Sequence, residues 1–255
     1  MSVDRREFLY MAAGAAAGLV AAASPTQAAP RPKIKALAFD GFPIFDPRPV
    51  FALAEKLFPG KGAELSNAWR IRQFEYQWLR ALSGQYADFW QVTEDALVYS
   101  TKLLKLELLP ETRKQLMDAY LALKAWPDVL PALRTFKSAG IRMAFLSNLT
   151  AKVIEANVKN AGLEGFFEDA LSTDKIKTYK PDPRAYQMGV DAFKLKREEI
   201  LFVAFGGWDA AGAKSFGYPT FWVNRLNLPV EELGVMPDGV GPTATDLVSF
   251  LNIPQ

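Results

Sequence analysis

The chain switches between two hydrophobic rhythms. Residues 34–39 are apolar but for Lys35 and lie between Pro32 and the turn residues Gly41 and Pro43. A short, nearly unbroken apolar run bounded in this way predicts a buried strand of a parallel sheet. Over residues 47–126 the spacing becomes helical. Val50, Leu53, Ala54 and Leu57 make a first face, ended by Pro59-Gly60, and a long helix over about 63–82 turns Leu65, Ala68, Trp69, Ile71, Phe74, Trp78 and Leu82 inward before Gly84 stops it. Helices over 89–104 and 110–123 follow, with Pro110 suited to a first helical turn. Trp69, Phe74, Tyr76, Trp78, Tyr86, Phe89 and Trp90 read first as the core of a helical bundle.

After Trp126-Pro127-Asp128-Val129 the rhythm alternates. A helix over 130–138 closes at Gly140, a strand over 141–146 ends in Ser147-Asn148, and a helix over 151–160 ends near Gly162. A strand over 169–172, a helix over 183–193, a strand over 200–205, a Gly206-Gly207 turn, a helix over 209–216 and a strand over 220–223 complete the series. Strand and helix in strict alternation predict an α/β fold, a doubly wound parallel sheet with helices on both faces. Residues 30–46 and 127–255 form this core domain, and residues 47–126 are a helical insertion after the first strand.

Two absences narrow the chemistry. With no His the chain cannot build a Ser-His or Cys-His pair or an imidazole metal site, and with no Cys it has no disulfide or thiolate. Carboxylates, amines and guanidinium groups must carry any reaction. The net charge of +2 has both signs interspersed, which gives no electrostatic footprint for nucleic acid. In open α/β sheets ligands bind outside the carboxyl ends of the strands. Asp40 follows the first predicted strand, Ser147-Asn148 the second and Gly206-Gly207-Trp208-Asp209 the fourth, while Lys180 lies in the loop after the third. Taken alone, Asp40 caps a turn as readily as it serves as a nucleophile or metal ligand.

Residues 1–29 read as an export signal. Arg5-Arg6 precedes a mildly apolar, Ala/Gly-rich run over 11–23 and a small-residue site at Ala28-Ala29, an order that resembles a twin-arginine signal peptide. The run is short and weakly hydrophobic for a spanning helix, so cleavage near Ala28, a periplasmic location and no membrane association afterwards are expected. The alternative is a chance Arg pair before an Ala-rich helix.

At the stretches AFD ending in Asp40, WRIRQFEYQWLRAL with Arg70, YADFWQVTEDAL with Phe89, LSN with Ser147, YKPDPRAY with Lys180, and WDAAGAKSFGYPTFWVNR with Asp209, the chain resembles the haloacid dehalogenase superfamily, and within it the L-2-haloacid dehalogenases. The resemblance implies a Rossmannoid core, with residues 47–126 as the family's cap. It implies hydrolysis of small 2-halocarboxylates by water to 2-hydroxy acids, with Asp40 attacking the halogen-bearing carbon to give an ester. Arg70 binds the departing halide and helps neutralise the substrate carboxylate, which Ser147 and Asn148 hold in line. Lys180 keeps Asp40 ionised, Asp209 orients or deprotonates the water, and Tyr186 supports Lys180. Phe42, Phe74, Phe89 and Trp208 form a dry wall. No metal or other cofactor is implied, and a homodimer is expected.

Two departures bear on activity. The family usually carries a Tyr-Gly-Thr turn after the nucleophile, where this chain has Gly41-Phe42-Pro43-Ile44; near Asp209 it usually offers Ser and Asn, where this chain has Ala204 and Gly206. Hydrogen bonds to charged groups contribute about 1.5–3 kcal/mol each, so their loss would slow ester hydrolysis unless other groups substitute. Two other readings stand beside this one. A metal-dependent phosphatase of the same superfamily would need an acid/base Asp where Phe42 stands, and more oxygen ligands than Asp40 and Asp209 supply. A non-catalytic periplasmic binding protein would keep the pocket and bind a small carboxylate without releasing halide.

Overall fold

The computed structural model describes residues 33–253; the expected signal at 1–29 lies outside the described residues. Strands β1 (Ala36–Phe39), β4 (Arg142–Ser147), β5 (Ala170–Ser172), β6 (Ile200–Ala204), β7 (Thr220–Val223) and β8 (Gly239–Gly241) form one parallel sheet in the order β5-β4-β1-β6-β7-β8. Phe39 is in register with Phe145 on one side and Val203 on the other. The chain leaves β1 toward β4 and β5, then returns to β6 on its other flank. The crevice at the carboxyl end of β1 is therefore the switch point of the sheet, where open α/β folds bind ligands.

Side-chain alternation along β1 feeds two cores. Leu37 and Phe39 pack with Met143, Phe145, Leu201 and Val203 against α5 (Val129–Ser138), α6 (Ala151–Asn160) and α9 (Ala244–Phe250). Ala36 and Ala38 pack with Ala144, Leu146 and Phe202 against α7 (Pro183–Phe193) and α8 (Gly207–Phe216). Because β1 is buried on both faces, its sequence is apolar throughout rather than alternating. Full burial of a side chain such as Leu37 or Phe39 stabilises by about 1.5–3 kcal/mol. The helices end where local chemistry says they should. Thr150 Oγ1 accepts the Val153 N–H at the start of α6, Asp182 accepts from Arg184 ahead of Pro183 in α7, and Gly217 closes α8 in the left-handed conformation.

Between β1 and β4 stands a helical layer of α1 (Arg48–Leu57), α2 (Gly62–Leu82), α3 (Phe89–Leu103) and α4 (Pro110–Asp118). Gly62 lets α2 start against α1, since a Cβ there would lie 2.1 Å from the Glu55 Cα. The layer is entered and left through a short antiparallel ladder, β2 (Phe45–Asp46) with β3 (Lys124–Ala125), too short to show a period in sequence. Strand β8 and helix α9 likewise follow a polar, Gly/Pro-punctuated stretch that gave no expectation. The fourth helix ends at Asp118, before the expected 123, in a 3₁₀ turn at Ala119–Leu121.

The inward face of α2 differs from the expectation. Leu65 and Trp69 are buried as expected, but Ile71 is 46% and Leu82 87% exposed, and the buried stripe is completed by Gly62, Ser66, Gln73 and Gln77. Apolar spacing misjudged the phase because the face turned inward carries polar groups. The expected aromatic bundle core also divides. Trp69 and Phe89 are buried, whereas Phe74 and Trp78 are partly exposed and lie against Trp208.

Where the layer rejoins the sheet, Trp126 Nε1 donates to the Phe42 and Phe45 carbonyls at 3.0 and 3.1 Å. Arg225 stacks over the Trp126 ring at 4.3 Å, pairs both Asp128 oxygens at 3.0 Å, and donates to the Pro43 carbonyl at 3.1 Å. This knot holds the turn that follows Asp40. Burial pushes the Asp128 carboxyl up, but Arg225 and the Ala244 N–H outweigh it and the net shift is downward. The pair therefore contributes above the ordinary carboxylate range and is lost as pH falls through that range. Arg225→Ala is expected to reduce stability by about 1.5–3 kcal/mol at neutral pH. Urea melts should show the midpoint falling at constant slope, with the gap from wild type narrowing below about pH 4.

Candidate active site

Asp40, the residue after β1, opens onto a cavity of about 840 Å³ between the carboxyl edge of the sheet and the helical layer. Its backbone N–H still bonds the Val203 carbonyl, so the strand's own ladder fixes where the carboxylate stands. Its two oxygens are treated unequally. Oδ1 accepts from Lys180 Nζ at 2.8 Å and from Ser147 Oγ at 3.1 Å, whereas Oδ2 accepts only a long bond from the Phe42 N–H at 3.3 Å. The turn after Asp40 thus offers a backbone donor to Oδ2.

Lys180 is completely buried, and its ammonium also reaches Asp209 Oδ2 at 2.6 Å. Burial alone would pull its pKa down; the charges of Asp209 and Asp40 outweigh burial and leave it raised. Lys180 is a fixed cation, not a base. Asp209, on the first turn of α8, is buried, and burial pushes its carboxyl up to about 6 against the opposing pull of Lys180, with the Asp40 charge adding to the rise. Tyr186 Oη donates to Asp209 Oδ1 at 2.8 Å, so its contact is with Asp209 rather than with Lys180. Burial, then the neighbouring Asp209 charge, raises the phenol well above its usual value and keeps it a donor. Tyr186 is held in turn by Tyr218, whose Oη donates to the Tyr186 carbonyl at 2.6 Å.

Ser147 and Asn148, expected at the substrate carboxylate, are bonded within the protein, Ser147 to the Asp40 carboxylate and Asn148 to the Lys180 backbone, Thr173 and Gln77. Ser147 gives its one proton to Asp40 and accepts the Leu149 N–H at 3.3 Å. Asn148 Oδ1 accepts the Lys180 N–H at 2.9 Å and Thr173 Oγ1 at 3.3 Å, while its Nδ2 donates to Gln77 Oε1 at 2.8 Å. Arg70, on the cavity side of α2, is partly exposed with Nη2 3.4 Å from Asn67 Oδ1, and makes no ion pair among the described residues. The cavity's other guanidinium, Arg48, is tied to Asp46 at 2.7 Å.

Phe42, Phe74, Phe89 and Trp208 all line the cavity. Trp208 meets Phe74 and Trp78 edge-on at 5.4 and 5.3 Å, and Phe42 lies 5.8 Å from Phe205. The glycine at 206 is explained by this wall, because a Cβ there would lie 2.8 Å from Trp208 Nε1. The indole fills the room that a larger side chain at 206 would need. Sequence reasoning missed Gln77, Gln73 and the Trp78 N–H, which donates to the Lys180 carbonyl at 3.2 Å. The only signal was the spacing 66, 70, 73, 77, a polar stripe along one helix face.

A model of the haloacid dehalogenase-like hydrolases matches residues 9–217. The (S)-2-haloacid dehalogenase of Pseudomonas sp. (strain YL) is 44% identical over 206 residues, covering 80% of this chain and 89% of that protein. Among solved structures, the L-2-haloacid dehalogenase RSc1362 superposes with a TM-score of 0.85 at 42% identity, covering 86% of this chain and 99% of its own. The L-2-haloacid dehalogenase from Xanthobacter autotrophicus with chloropropionic acid covalently bound gives 0.79 at 33% identity, over 86% and 98%.

Removing Lys180 would leave Asp40 and Asp209 facing each other without a cation. Lys180→Met is expected to destabilise by about 3–5 kcal/mol at pH 8, the range for breaking a buried pair by deleting one partner. The loss should shrink as pH is lowered and the carboxyls protonate, which denaturant titrations at pH 5 and pH 8 will show.

Proposed function

The chain belongs to the haloacid dehalogenase-like hydrolases, among the L-2-haloacid dehalogenases, and on that premise we propose that it hydrolyses small (S)-2-haloalkanoic acids to 2-hydroxy acids through an ester on Asp40. The observation that carries this reading is the unequal bonding of Asp40 on the cavity floor. Lys180 and Ser147 occupy Oδ1, leaving Oδ2 the freer lone pairs and making it the attacking oxygen.

In the first step Asp40 Oδ2 forms a bond to the substrate C2 as the carbon–halogen bond breaks, and the halide departs with the bonding electrons. Arg70, without a carboxylate partner among the described residues, is the cation available to the halide and to the substrate carboxylate. The aromatic wall excludes water, which leaves Oδ2 poorly hydrated and raises its reactivity. In the second step water attacks the Asp40 Cγ. One of its protons passes to Asp209 and the other to the departing Oδ2 as the Cγ–Oδ2 bond breaks, so the hydroxy acid leaves with the original Oδ2 and Asp40 keeps the water oxygen. Negative charge develops on Oδ1, where the Lys180 ammonium and Ser147 hydroxyl already point. They form a preorganised oxyanion site. Asp209 is positioned for its part by Tyr186 and Lys180, which hold one oxygen each.

The phosphatase alternative finds no support in the donor set. Among the described residues no group of three His, Cys, Asp or Glu side chains converges, and Lys180 Nζ lies between Asp40 and Asp209. Export by the twin-arginine pathway to the periplasm belongs to the same proposal and rests on Arg5-Arg6 and the apolar run after them. No helix among the described residues is long and apolar enough to cross a membrane. A homodimer is supported by exposed Leu79, Leu82 and Leu103 on the helical layer.

Asp40→Asn should abolish halide release from L-2-chloropropionate while retaining the wild-type circular dichroism, since the amide keeps the shape and removes the nucleophile. In a single turnover in ¹⁸O-water the label should enter the Asp40 carboxylate; label only in the product would mean direct attack by water. EDTA should leave the rate unchanged. The deacylation rate should rise with pH as Asp209 becomes the anion that takes the water proton, with a midpoint below about 6 because the ester removes the Asp40 charge that adds to the rise, measured as the pH profile of ester decay after a pre-steady-state burst.

A further inference from the structure

Gln77 lies on α2, on the cavity side of the helical layer, and is completely buried. Its orientation follows from a chain of bonds that begins at a group with no freedom. The Lys180 backbone N–H can only donate, so the atom of Asn148 that meets it at 2.9 Å is the carbonyl Oδ1. Asn148 Nδ2 is thereby turned toward Gln77, and the Gln77 atom that receives it at 2.8 Å must be Oε1. The Gln77 Nε2 is left facing away with no partner within the protein. An amide donor with this degree of burial and no acceptor is uncommon in folded proteins. Gln77 lines one cavity with Asp40, Arg70, Ser147 and Asn148. Its Nε2 is itself closed off, so an acceptor reaches it from the cavity once the wall beside it yields.

We propose that Gln77 is a substrate-binding residue whose Nε2 donates to the carboxylate of the bound 2-haloacid. The inference rests on the 2-haloacid reading above and extends it to a residue outside the set expected from sequence. Chemistry supports the assignment in two ways. Ser147 has committed its only proton to Asp40, so it has no proton left to give a substrate carboxylate while that bond stands. The helical layer places Arg70 and Gln77 on one face of α2, seven residues or about two turns apart, so a guanidinium and an amide approach the cavity together. A carboxylate accepts several hydrogen bonds on its two oxygens, and a cation with a neutral amide satisfies it without adding a second full charge near Lys180.

The deciding variant is Gln77→Glu, compared with Gln77→Ala. Glutamate retains the oxygen that accepts from Asn148 but replaces the donor with a second acceptor, so it separates substrate contact from support of Asn148. Propionate, a carboxylate that cannot react, is titrated calorimetrically into each protein at pH 8, and KM for L-2-chloropropionate is measured alongside. The Kd and KM are expected to rise by about tenfold or more in Gln77→Ala, the loss of one hydrogen bond to a charged group, and further in Gln77→Glu through repulsion. Values for Gln77→Glu within twofold of wild type would overturn the proposal and assign Gln77 to holding Asn148 alone. Should Gln77→Ala fail to fold, Gln77→Glu, of the same shape, decides by itself. Propionate binding reports on Gln77 even if wild type releases no halide, an outcome that would instead overturn the dehalogenase reading.

Discussion

A single buried ammonium holding two carboxylates is the constraint around which the site is arranged. Lys180 Nζ lies 2.8 Å from Asp40 and 2.6 Å from Asp209, and all three groups are removed from bulk water. Ions of both signs at this depth persist only when bonded on nearly every side. Ser147 and the Phe42 N–H attend Asp40, and Tyr186 attends Asp209. Asn148 and Trp78 grip the Lys180 backbone from its two polar ends. Of the two acids that share the cation, Asp209 is the more deeply buried, and burial pushes its carboxyl up to about 6.

The helical layer serves this arrangement as well as covering it. Its contacts with the sheet domain concentrate on the loop that carries Lys180. Tyr86 Oη donates to Asp174, Tyr179 Oη to the Ala87 carbonyl, Trp78 to the Lys180 carbonyl, and Gln77 accepts from Asn148. At the opposite end, Trp126, Arg225 and Asp128 pin the turn after Asp40 to the start and finish of the layer. Asp40 and Lys180 are thus each anchored to the layer that brings Arg70 to the cavity. Glycine at 206 makes room for the Trp208 indole, which lines the cavity.

Much of the fold was legible because each strand of the sheet's centre is buried on both faces and writes itself as an apolar run between turn residues. β1, β4, β6 and β7 were all visible in this way, and the polar residue that ends each run marked the crevice before any contact was known. Asp40 was legible for the same reason, as a charge that closes an apolar segment, whereas Lys180 and Asp209 stood out through the stretches YKPDPRAY and WDAAGAKSFGYPTFWVNR that carry the resemblance. What was not legible has a common cause. The ladder of β2 with β3 and the short β8 have too few residues for a period to show, and their pairing is decided by partners distant in sequence. The face of α2 was misjudged because Ser66, Gln73 and Gln77 are polar yet buried, and hydrophobicity alone cannot tell a buried polar stripe from a solvated one.

The sequence by itself therefore determined the alternating α/β framework, the insertion of helices after the first strand, the absence of imidazole and thiol chemistry, and the identity of the charged groups. Only the tertiary structure decided how those groups are shared. It assigned Tyr186 to Asp209, turned Ser147 and Asn148 toward Asp40 and Lys180, left Asp40 Oδ2 the freer oxygen, and placed an unpartnered amide of Gln77 beside the cavity. The physical reason is that local sequence governs backbone conformation and burial over a few residues. Hydrogen bonds such as Lys180 to Asp40, by contrast, join atoms 140 residues apart and form only where the packed sheet and helices bring them within reach.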